Sequence, residues 1–384
     1  MICSIGDNIL SPLGFTSAEN WNAVCSGHSA LKRYSDHFDL PEPFCASLLD
    51  WEKVEEKFAQ LPNNHLENYT RLEKISILSA ADAFQKAGIN PAAEDVLFVL
   101  STTKGNVELL QDLHDYEPSR PYLWRSAQLI SRYFGNANEP IVVSNACISG
   151  CAALHLVKPL IQKHGFRYVA VIGADVLSKF IVSGFQSFKA LSPDFCRPFD
   201  ADRTGLNLGE AAATIIFTEM AETKRNTIGI VASALCNDAN HISAPSRTAE
   251  GLLKTLRSVM AAEKNLSASD IAFVNAHGTA TRYNDDMESV ALDRMGWNKL
   301  TVNSLKGYFG HTLGAAGVLE TVISSRELLN GLILPTIGTQ NPGTAAEIHV
   351  ALQPEKTDKP LFVKMISGFG GSNAAVLFTK FLAV

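Results

Sequence analysis

The segment Ser144-Asn145-Ala146-Cys147-Ile148-Ser149-Gly150 joins a short apolar run at 141–143, which predicts a buried strand, to a helical pattern beginning at Cys151. A second apolar run at 169–173 closes a strand–helix–strand unit. Cys147 therefore lies where a strand turns into a helix. Backbone amides and the helix dipole converge there, and both favour a thiolate over a thiol. On this segment alone, Cys147 could equally be a buried cysteine that packs as a small hydrophobe.

Bulk composition sets limits on the kind of protein this is. The chain has 384 residues, 46% hydrophobic and 19% charged, which is typical of a globular protein. That length can bury two cores or one large duplicated core. A formal net charge of −6 gives no overall attraction to nucleic acid, so no nucleic-acid partner is predicted. No apolar run reaches transmembrane length, so we expect no membrane span.

The seven cysteines are dispersed along the chain and form no CxxC pair. An odd number without metal-type spacing disfavours both a disulfide framework and a structural zinc site, and no metal is predicted. The first residues lack the basic start and apolar stretch of a signal peptide. We therefore predict a reducing, cytoplasmic location.

The rest of the chain alternates apolar runs with helical patterns, which favours an α/β fold in layers. The clearest helix is expected at 69–88, and a hairpin is expected around the glycine-rich bend at 367–373. Residues 105–138 are expected to be mostly helical. The strand–turn–helix unit at Cys147 recurs at His311, which predicts two halves with these residues at matching helix starts.

Four segments carry side chains suited to chemistry, at Cys147, His277, Lys306 with His311, and the loop 368–373. Each has a structural explanation on its own, because histidines after strands are often satisfied polar residues and paired glycines permit a bend. Together, a cysteine at a helix start, two histidines and a lysine at strand ends suit thioester chemistry. A metal on the two histidines is disfavoured, since no local spacing supplies a third ligand.

Three motifs, in this order, resemble those of β-ketoacyl-acyl carrier protein synthases, in the decarboxylating Cys-His-His group of the thiolase superfamily. They are Asn145-Ala146-Cys147, His277-Gly278-Thr279-Ala280-Thr281, and the run 306–317 that contains Lys306, Gly310 and His311. The resemblance covers nearly the whole chain, from residues 11–14 to 369–373.

The resemblance implies a thiolase-like, duplicated five-layer αβαβα architecture. Residues 1–225 would form an N-terminal half that carries Cys147. Residues 226–384 would form a C-terminal half that carries His277, Lys306, His311 and the glycine-rich loop.

The activity implied is that of an acyltransferase of the 3-oxoacyl-[acyl-carrier-protein] synthase type. Cys147 matches the nucleophile that takes an acyl chain from acyl carrier protein. His277 and His311 match the pair that acts on malonyl-carrier protein during decarboxylative Claisen condensation, where two imidazole N–H groups would stabilise the enolate oxygen. The backbone amides of Cys147 and Phe369 match the oxyanion donors, and Phe369 also matches a gating aromatic. No added cofactor is expected, because the carrier protein delivers the phosphopantetheine arm.

Lys306 matches a family lysine held by acids at the positions of Glu288 and Glu320, and Asp285 matches a further acid. We expect these groups to form a buried charge network that positions the two histidines.

The phosphopantetheine arm would run past Thr279 and Thr281, which match arm-binding threonines, and Ser243 is a further candidate for the same tunnel. Carrier proteins are acidic, so the docking patch should hold Lys or Arg. The candidates for that patch are Arg71, Lys74 and Arg203.

The resemblance implies a homodimer, or a heterodimer with a second ketosynthase-like subunit. A non-catalytic, chain-length-factor-like subunit is the main alternative, although such subunits usually lack the nucleophile. Three other enzyme classes fit less well. Initiating synthases typically use a Cys-His-Asn set, and thiolases have a second active cysteine near the C-terminus, whereas the last cysteine here is Cys236. A cysteine hydrolase would leave the second histidine unexplained. Two departures from the family concern the substrate: alanines replace family glycines at 211–213, and the region 105–138, which helps to build the acyl pocket in the family, is short. The sequence therefore does not distinguish fatty acid, polyketide and polyene substrates.

Overall fold

The computed structural model describes residues 1–111, 113, 116–219, 226–241, 244–263 and 266–382. Within them, the strands are β1 Ile2–Leu10, β2 Lys32–Tyr34, β3 Phe44–Ser47, β4 Val96–Ser101, β5 Ile141–Val143, β6 Tyr168–Asp175, β7 Leu208–Gly209, β8 Ala211–Glu219, β9 Thr227–Asn237, β10 Ile271–Asn275, β11 Thr301–Asn303, β12 Leu332–Ile333, β13 His349–Val350, β14 Glu355–Lys356, β15 Leu361–Gly368 and β16 Ser372–Phe381. The helices are α1 Ser17–Cys25, α2 Trp51–Ala59, α3 Arg71–Ala87, α4 Leu123–Tyr133, α5 Ser149–Gln162, α6 Lys179–Ser187, α7 Glu250–Ala261, α8 Arg282–Arg294, α9 Lys306–Phe309 and α10 Ala316–Asn330, with short 3-10 helices at Val107–Leu110, Ala268–Asp270 and Leu313–Ala315.

Eleven of the described strands form one sheet in the order β13-β11-β10-β15-β16-β9-β1-β8-β6-β4-β5. The same series of neighbours, two antiparallel and then two parallel, runs outward from β1 through β8, β6, β4 and β5. It also runs outward from β9 through β16, β15, β10 and β11. The sheet is therefore two five-stranded half-sheets of the same pattern that meet where β1 pairs with β9, with β13 added at the outer edge of the second.

Helices α5 and α10 form the central layer, because each contacts strands of both half-sheets. Helices α3 and α4 cover the first half-sheet, and α7, with α8 against it, covers the second. The predicted five-layer αβαβα architecture is thus confirmed. The two central helices approach closely at Gly150 and Gly317, where a Cβ on Gly150 would lie 2.8 Å from the Gly317 Cα. This contact brings the start of α5 beside the start of α10.

Local sequence signals set the helix ends where the fold needs them. In α3 the Thr70 hydroxyl accepts from the Glu73 amide, and the Glu73 carboxylate accepts from the Thr70 amide, which is a capping box. Gly88 ends the helix in the left-handed conformation at φ 68°. The helix predicted at 69–88 is confirmed. Among the described residues, no helix combines the length and apolar character needed to cross a bilayer.

Two local predictions were wrong. The region 105–138 is not mostly helical, since its described residues hold only Val107–Leu110 and α4 as helices. Strand β5 is only half-buried, because it is the outermost strand of the sheet. An apolar run in the sequence does not distinguish an edge strand from a central one.

Candidate active site

Cys147 sits in a tight turn between β5 and α5. Ala146, just before it, has φ 44°, a conformation that is uncommon for a residue with a side chain. The Ser149 hydroxyl holds this turn, since it accepts from the Asn145 amide at 2.8 Å and donates to the Ala146 carbonyl at 2.6 Å. The turn places the Cys147 side chain two residues before the first residue of α5.

His277 follows β10 in a loop that two carboxylates on α8 hold in place. Glu288 accepts from the His277 and Gly278 amides, both at 2.7 Å. Asp285 accepts from the Thr279 amide at 3.0 Å and from the Phe199 amide at 2.7 Å. Both acids therefore fix the loop that carries His277.

The prediction that Glu288 pairs with Lys306 was wrong. Lys306 makes its ion pair with Glu320 alone among the described residues, whereas both Glu288 oxygens are engaged by backbone amides. A carboxylate that faces several amides is satisfied without a cation. The predicted role of Glu288, which is to position a histidine, remains a proposal.

His311 lies between α9 and the 3-10 helix Leu313–Ala315. Its amide donates to the Asn207 carbonyl at 2.7 Å, and its carbonyl accepts from Gly209 at 3.0 Å. The Leu313 amide donates to His311 Nδ1 at 3.3 Å, so Nδ1 is an acceptor. In a neutral ring the proton then resides on Nε2, which has no partner among the described residues. His311 Nε2 is thus a free N–H donor.

Folding brings these three side chains together. The Cys147 sulfur and one nitrogen from each of His277 and His311 all lie within 4.8 Å of one another. The two imidazole rings are 4.9 Å apart between centroids and nearly perpendicular, at 81°. All three side chains line the same cavity, of about 470 Å³. The prediction that a sulfur and two imidazoles meet in one chamber is confirmed.

The terminal hairpin supplies a further part of the cavity lining. Strands β15 and β16 pair antiparallel up to Gly368 and Ser372, as predicted, and the bend between them includes Phe369. A Cβ on Gly368 would lie 3.2 Å from the Cys147 nitrogen, so the bend touches the nucleophile. The Phe369 amide is close enough to the Cys147 sulfur to lower the pKa of the thiol. This amide is therefore well placed to serve, with that of Cys147, as an oxyanion donor.

Aromatic and polar side chains line the rest of the cavity. The Phe369 ring stacks on Phe185 at 5.8 Å and meets Phe188 edge-on at 5.6 Å. Thr279 and Thr281 share a hydrogen bond of 2.8 Å between their hydroxyls, and both line the cavity. Ser243 lies outside the described residues.

The pKa values of the three reactive groups are set mainly by burial. Burial, followed by the charge of Lys306, holds the pKa of His277 and of His311 well below the ordinary value. Both rings are therefore neutral at pH 7. Burial raises the pKa of the Cys147 thiol, although Lys104, Lys306 and the Phe369 amide oppose this effect. Burial therefore works against the thiolate that the helix start was expected to favour, and the resting group is the thiol.

A buried trio of charges lies behind the histidines. The Lys306 ammonium pairs with one oxygen of Glu320, and the Lys364 ammonium pairs with the other at 2.6 Å. All three side chains are almost fully buried. Burial alone would raise the pKa of Glu320, but the two lysines lower it below its ordinary value. Glu320 is therefore ionised, as a buried carboxylate between two cations should be.

Two groups near the site were missed in the sequence. Lys364 is the single charged residue in the otherwise apolar run 361–366, and that interruption was its signal. Asp175 ends β6 and accepts from the Thr102 hydroxyl at 2.8 Å and the Gly314 amide at 2.6 Å. It ties β4 to the segment after His311, and an acid at the end of an apolar strand was its signal.

The docking prediction was wrong for Arg203. Its side chain is buried and faces inward, where it donates to Asp286 at 2.6 Å and to the Asp200 carbonyl at 2.7 Å. A guanidinium with these partners is not available to a protein that approaches from solution.

Arg71 and Lys74 are also engaged within the chain. Arg71 pairs with the buried Glu210 at 3.1 Å and lies over the Trp51 ring at 3.7 Å. Lys74 pairs with Glu55 at 2.7 Å. The exposed cations on the lining of the cavity are instead Lys189 and Arg282.

The Cys147, His277 and His311 atoms also have the chemistry of a metal-ligand set, which was not predicted because local spacing does not reveal it. Two ammonium groups, those of Lys306 and Lys364, lie close enough to depress both histidine pKa values. The same charges oppose a divalent cation, so the cluster fits acyl chemistry better than a metal.

Comparison with protein families matches almost the whole chain. Residues 1–223 match the profile described as Beta-ketoacyl synthase, N-terminal domain, and residues 228–340 match Beta-ketoacyl synthase, C-terminal domain. The chain is 26% identical over 421 residues to a putative mitochondrial 3-oxoacyl-[acyl-carrier-protein] synthase of Schizosaccharomyces pombe, with 98% of each chain covered. It is 26% identical over 420 residues to 3-oxoacyl-[acyl-carrier-protein] synthase 2 of Rhizobium meliloti, again with 98% of each covered.

Solved structures share the fold. The structure of the ketosynthase ApeO in complex with its chain length factor ApeC from Xenorhabdus doucetiae matches with a TM-score of 0.87 at 23% identity, covering 98% of this chain and 97% of that one. The ishigamide ketosynthase/chain length factor also matches with a TM-score of 0.87 at 23% identity, covering 99% of both chains.

Proposed function

This chain belongs to the β-ketoacyl synthase family, and we propose that it condenses an acyl chain held on Cys147 with a malonyl group held on acyl carrier protein. The observation that carries the proposal is the meeting of one sulfur and two neutral imidazoles within 4.8 Å, beside a backbone amide. The enzyme is then an acyltransferase of the 3-oxoacyl-[acyl-carrier-protein] synthase type.

The first step transfers the acyl chain. The Cys147 thiol is neutral at rest, so it gives up its proton as the thioester carbonyl arrives, and a neutral imidazole 4.8 Å or less away is the available base. The sulfur attacks the carbonyl carbon and forms a tetrahedral oxyanion. The amides of Cys147 and Phe369 stabilise that charge, and the carrier protein leaves as its thiol.

The second step forms the carbon nucleophile. Malonyl-carrier protein binds with its thioester oxygen toward the two histidines, which remain neutral because burial and Lys306 hold their pKa values low. The bond to the carboxylate breaks, CO₂ leaves, and the electron pair moves onto the thioester oxygen as an enolate. Two N–H donors aimed at that oxygen lower the barrier. His311 Nε2 is one of them.

The third step makes the carbon–carbon bond. The enolate carbon attacks the acyl thioester on Cys147, and the same two amides receive the new oxyanion. Its collapse expels the Cys147 thiolate and leaves a β-ketoacyl chain on the carrier protein. No added cofactor enters these steps, because the carrier protein supplies the phosphopantetheine arm. Thr279 and Thr281 line the path of that arm.

The carrier protein docks at the mouth of the cavity. Lys189 and Arg282 are part of the cavity lining and are exposed to solvent. An acidic carrier is attracted by such a pair, and the attraction weakens with salt. These two residues replace the buried Arg203, and they join Arg71 and Lys74, which remain candidates for the docking patch.

The enzyme acts as a dimer, either of two copies or with a second ketosynthase-like subunit. The half-buried edge strand β5 supports this, because an outermost strand has backbone groups free to pair with another chain. The solved ketosynthase–chain length factor pairs named above support the second form. A non-catalytic role is disfavoured by a complete Cys-His-His set.

Two further assignments complete the proposal. Residues 1–225 and 226–384 form the two halves, which is supported by the repeated strand order and by family profiles that meet between residues 223 and 228. The protein works in the cytoplasm, which is supported by seven free cysteines. The condensation belongs to fatty acid, polyketide or polyene biosynthesis.

The test is condensation by the purified protein. Supplied with acyl-carrier protein and malonyl-carrier protein, it should release CO₂ and form the β-ketoacyl product. Cys147→Ala should abolish condensation, and His311→Ala should abolish decarboxylation. A wild-type protein that takes up an acyl group but never releases CO₂ would support the non-catalytic alternative instead.

A further inference from the structure

Lys364 is a buried lysine in an unusual place. It lies in the middle of β15, between β10 and β16, and its side chain is fully buried. Its neighbours along the strand are apolar. Burying an ammonium group in a sheet is costly unless it is paired and hydrogen-bonded. The reaction steps above do not use this group, so its presence needs a reason.

The contacts of Lys364 satisfy the ammonium group and point to the histidines. Its nitrogen lies 2.6 Å from Glu320 Oε2 and donates to the carbonyls of Ala276 at 3.3 Å and Met365 at 3.1 Å. The Asn275 carbonyl is a fourth acceptor at 3.5 Å, so the three ammonium protons are shared among four oxygens. Ala276 directly precedes His277, and the other oxygen of Glu320 holds Lys306. One side chain thus links the backbone beside the first histidine to the charge pair behind both.

We propose that Lys364 is a positioning residue for decarboxylation, which fixes the backbone before His277 and, through Glu320, adds a second positive charge behind both histidines. This inference rests on the function proposed above. It assigns Lys364 no contact with substrate. Its effect is to keep the two imidazoles neutral and correctly placed when the enolate forms.

Charged and titratable groups from several elements surround this cluster. They are Lys306 from α9, Glu320 and Glu327 from α10, Asp285 and Glu288 from α8, Cys147 and Cys151 at the start of α5, Asp175 from β6, and Lys104 from the segment after β4. After burial and Lys306, Lys364 is a further cause that lowers the pKa of both histidines. Removing a cation raises the pKa of a nearby imidazole. Loss of Lys364 should therefore let the histidines protonate at higher pH.

The experiment measures CO₂ release from malonyl-carrier protein between pH 5 and 9 for wild-type, Lys364→Met and Lys364→Arg proteins. The acidic limb is the part of the pH profile where the rate of CO₂ release falls as the pH is lowered. In Lys364→Met this limb should move up by about one pH unit, so that the rate at a pH below the limb falls about tenfold. Acyl loading of Cys147 at pH 8 should fall less than threefold. Lys364→Arg keeps the charge and should keep the limb at its wild-type position.

Lys359→Met is the matched control. Lys359 also donates to a backbone carbonyl of β10, that of Ile271 at 3.2 Å, but at the opposite end of the strand. This variant should leave the limb and the rate unchanged. A Lys364→Met protein that loads Cys147 but shows the wild-type limb overturns the inference.

Folding failure is covered by a second variant. If Lys364→Met is insoluble, Lys364→Gln is judged by the same limb, because glutamine can still donate to the Ala276 carbonyl without a charge. If the glutamine variant is also insoluble, the assignment is overturned, since Lys364 would then be required for folding. A wild-type protein that releases no CO₂ refutes the proposed function itself and is distinguishable from these results.

Discussion

Replacement of Glu320 by glutamine tests the charge trio directly. In the wild type, one carboxylate lies between two buried ammonium groups, those of Lys306 and Lys364. Glu320→Gln keeps the shape of the side chain and removes its charge. Two like charges are then left in the interior without a counter-ion. We expect a large loss of stability and of decarboxylation activity together.

The magnitude follows from the geometry. At an effective dielectric constant of about 20, the Glu320–Lys364 contact of 2.6 Å represents about 6 kcal/mol of Coulomb attraction before desolvation is subtracted. Removing one partner of a buried pair costs about 3–5 kcal/mol in practice. Because whole domains are stable by about 5–15 kcal/mol, this is a large fraction of the total.

The sign of the pH dependence is also fixed. Burial already lowers the pKa of Lys306, and Glu320 is the main group that opposes this shift. Without it, the folded state binds fewer protons than the unfolded state between the lowered pKa and about 10.4, the unperturbed lysine value. Stability therefore rises with pH in that window. The Glu320→Gln protein should be more stable at pH 9 than at pH 7.

Glu327→Gln, on the same helix, is the control. Burial raises the pKa of Glu327 to about 8, so this carboxyl is mostly protonated at pH 7 and glutamine replaces a neutral group. The cost should be about 1 kcal/mol or less. The assay is urea unfolding of all three proteins at pH 7 and pH 9, with CO₂ release measured in parallel. Equal free energies of unfolding for the two variants at pH 7 would refute the account of the trio.

Two other predictions concern the central helices and the mouth of the cavity. Gly150→Ala should lower the free energy of unfolding by about 1–3 kcal/mol, because its Cβ would lie 2.8 Å from the Gly317 Cα. The control is Gly184→Ala in α6, where a Cβ meets nothing within 4 Å, and it should stabilise the protein by up to about 1 kcal/mol. A loss of less than about 0.5 kcal/mol for Gly150→Ala would contradict this packing. Replacement of both Lys189 and Arg282 by glutamate should raise KM for carrier-protein substrates about tenfold and leave kcat unchanged. High salt should reduce this difference in KM. An unchanged KM at low salt would place the docking surface elsewhere.

Much of the fold could be predicted from local patterns in the sequence, whereas the roles of the three reactive residues followed from the resemblance of their motifs to the β-ketoacyl synthase family. The helix of α3 follows from its apolar spacing, its cap and Gly88. Cys147 and His311 each stand between an apolar run and a helix, and the glycine-rich bend marks the terminal hairpin. Periodicity and turn chemistry act over a few residues, so they are visible in the chain.

The errors at the site concern long-range pairing and burial, whereas the helix expected over most of 105–138 was a local error. Arg203 looks like a surface cation in the sequence, but its partners are Asp286, 83 residues away, and a backbone carbonyl. Glu288 faces amides rather than Lys306 because α8 packs under the loop of His277. The raised pKa of Cys147 depends on how tightly the whole chamber is closed. None of these contacts, and none of this burial, can be inferred from the spacing of residues along the chain.

The most direct test of the account is the site at which the protein is acylated. Purified protein is incubated with acyl-carrier protein, and its intact mass and proteolytic peptides are measured by mass spectrometry. We predict that the wild type gains one acyl group on the peptide containing Cys147, and that Cys147→Ala gains none. Cys151 is a buried cysteine four residues further along the chain, and the control variant Cys151→Ala should gain the same mass as the wild type. Acylation that persists in Cys147→Ala would contradict the assignment of the nucleophile and the mechanism built on it.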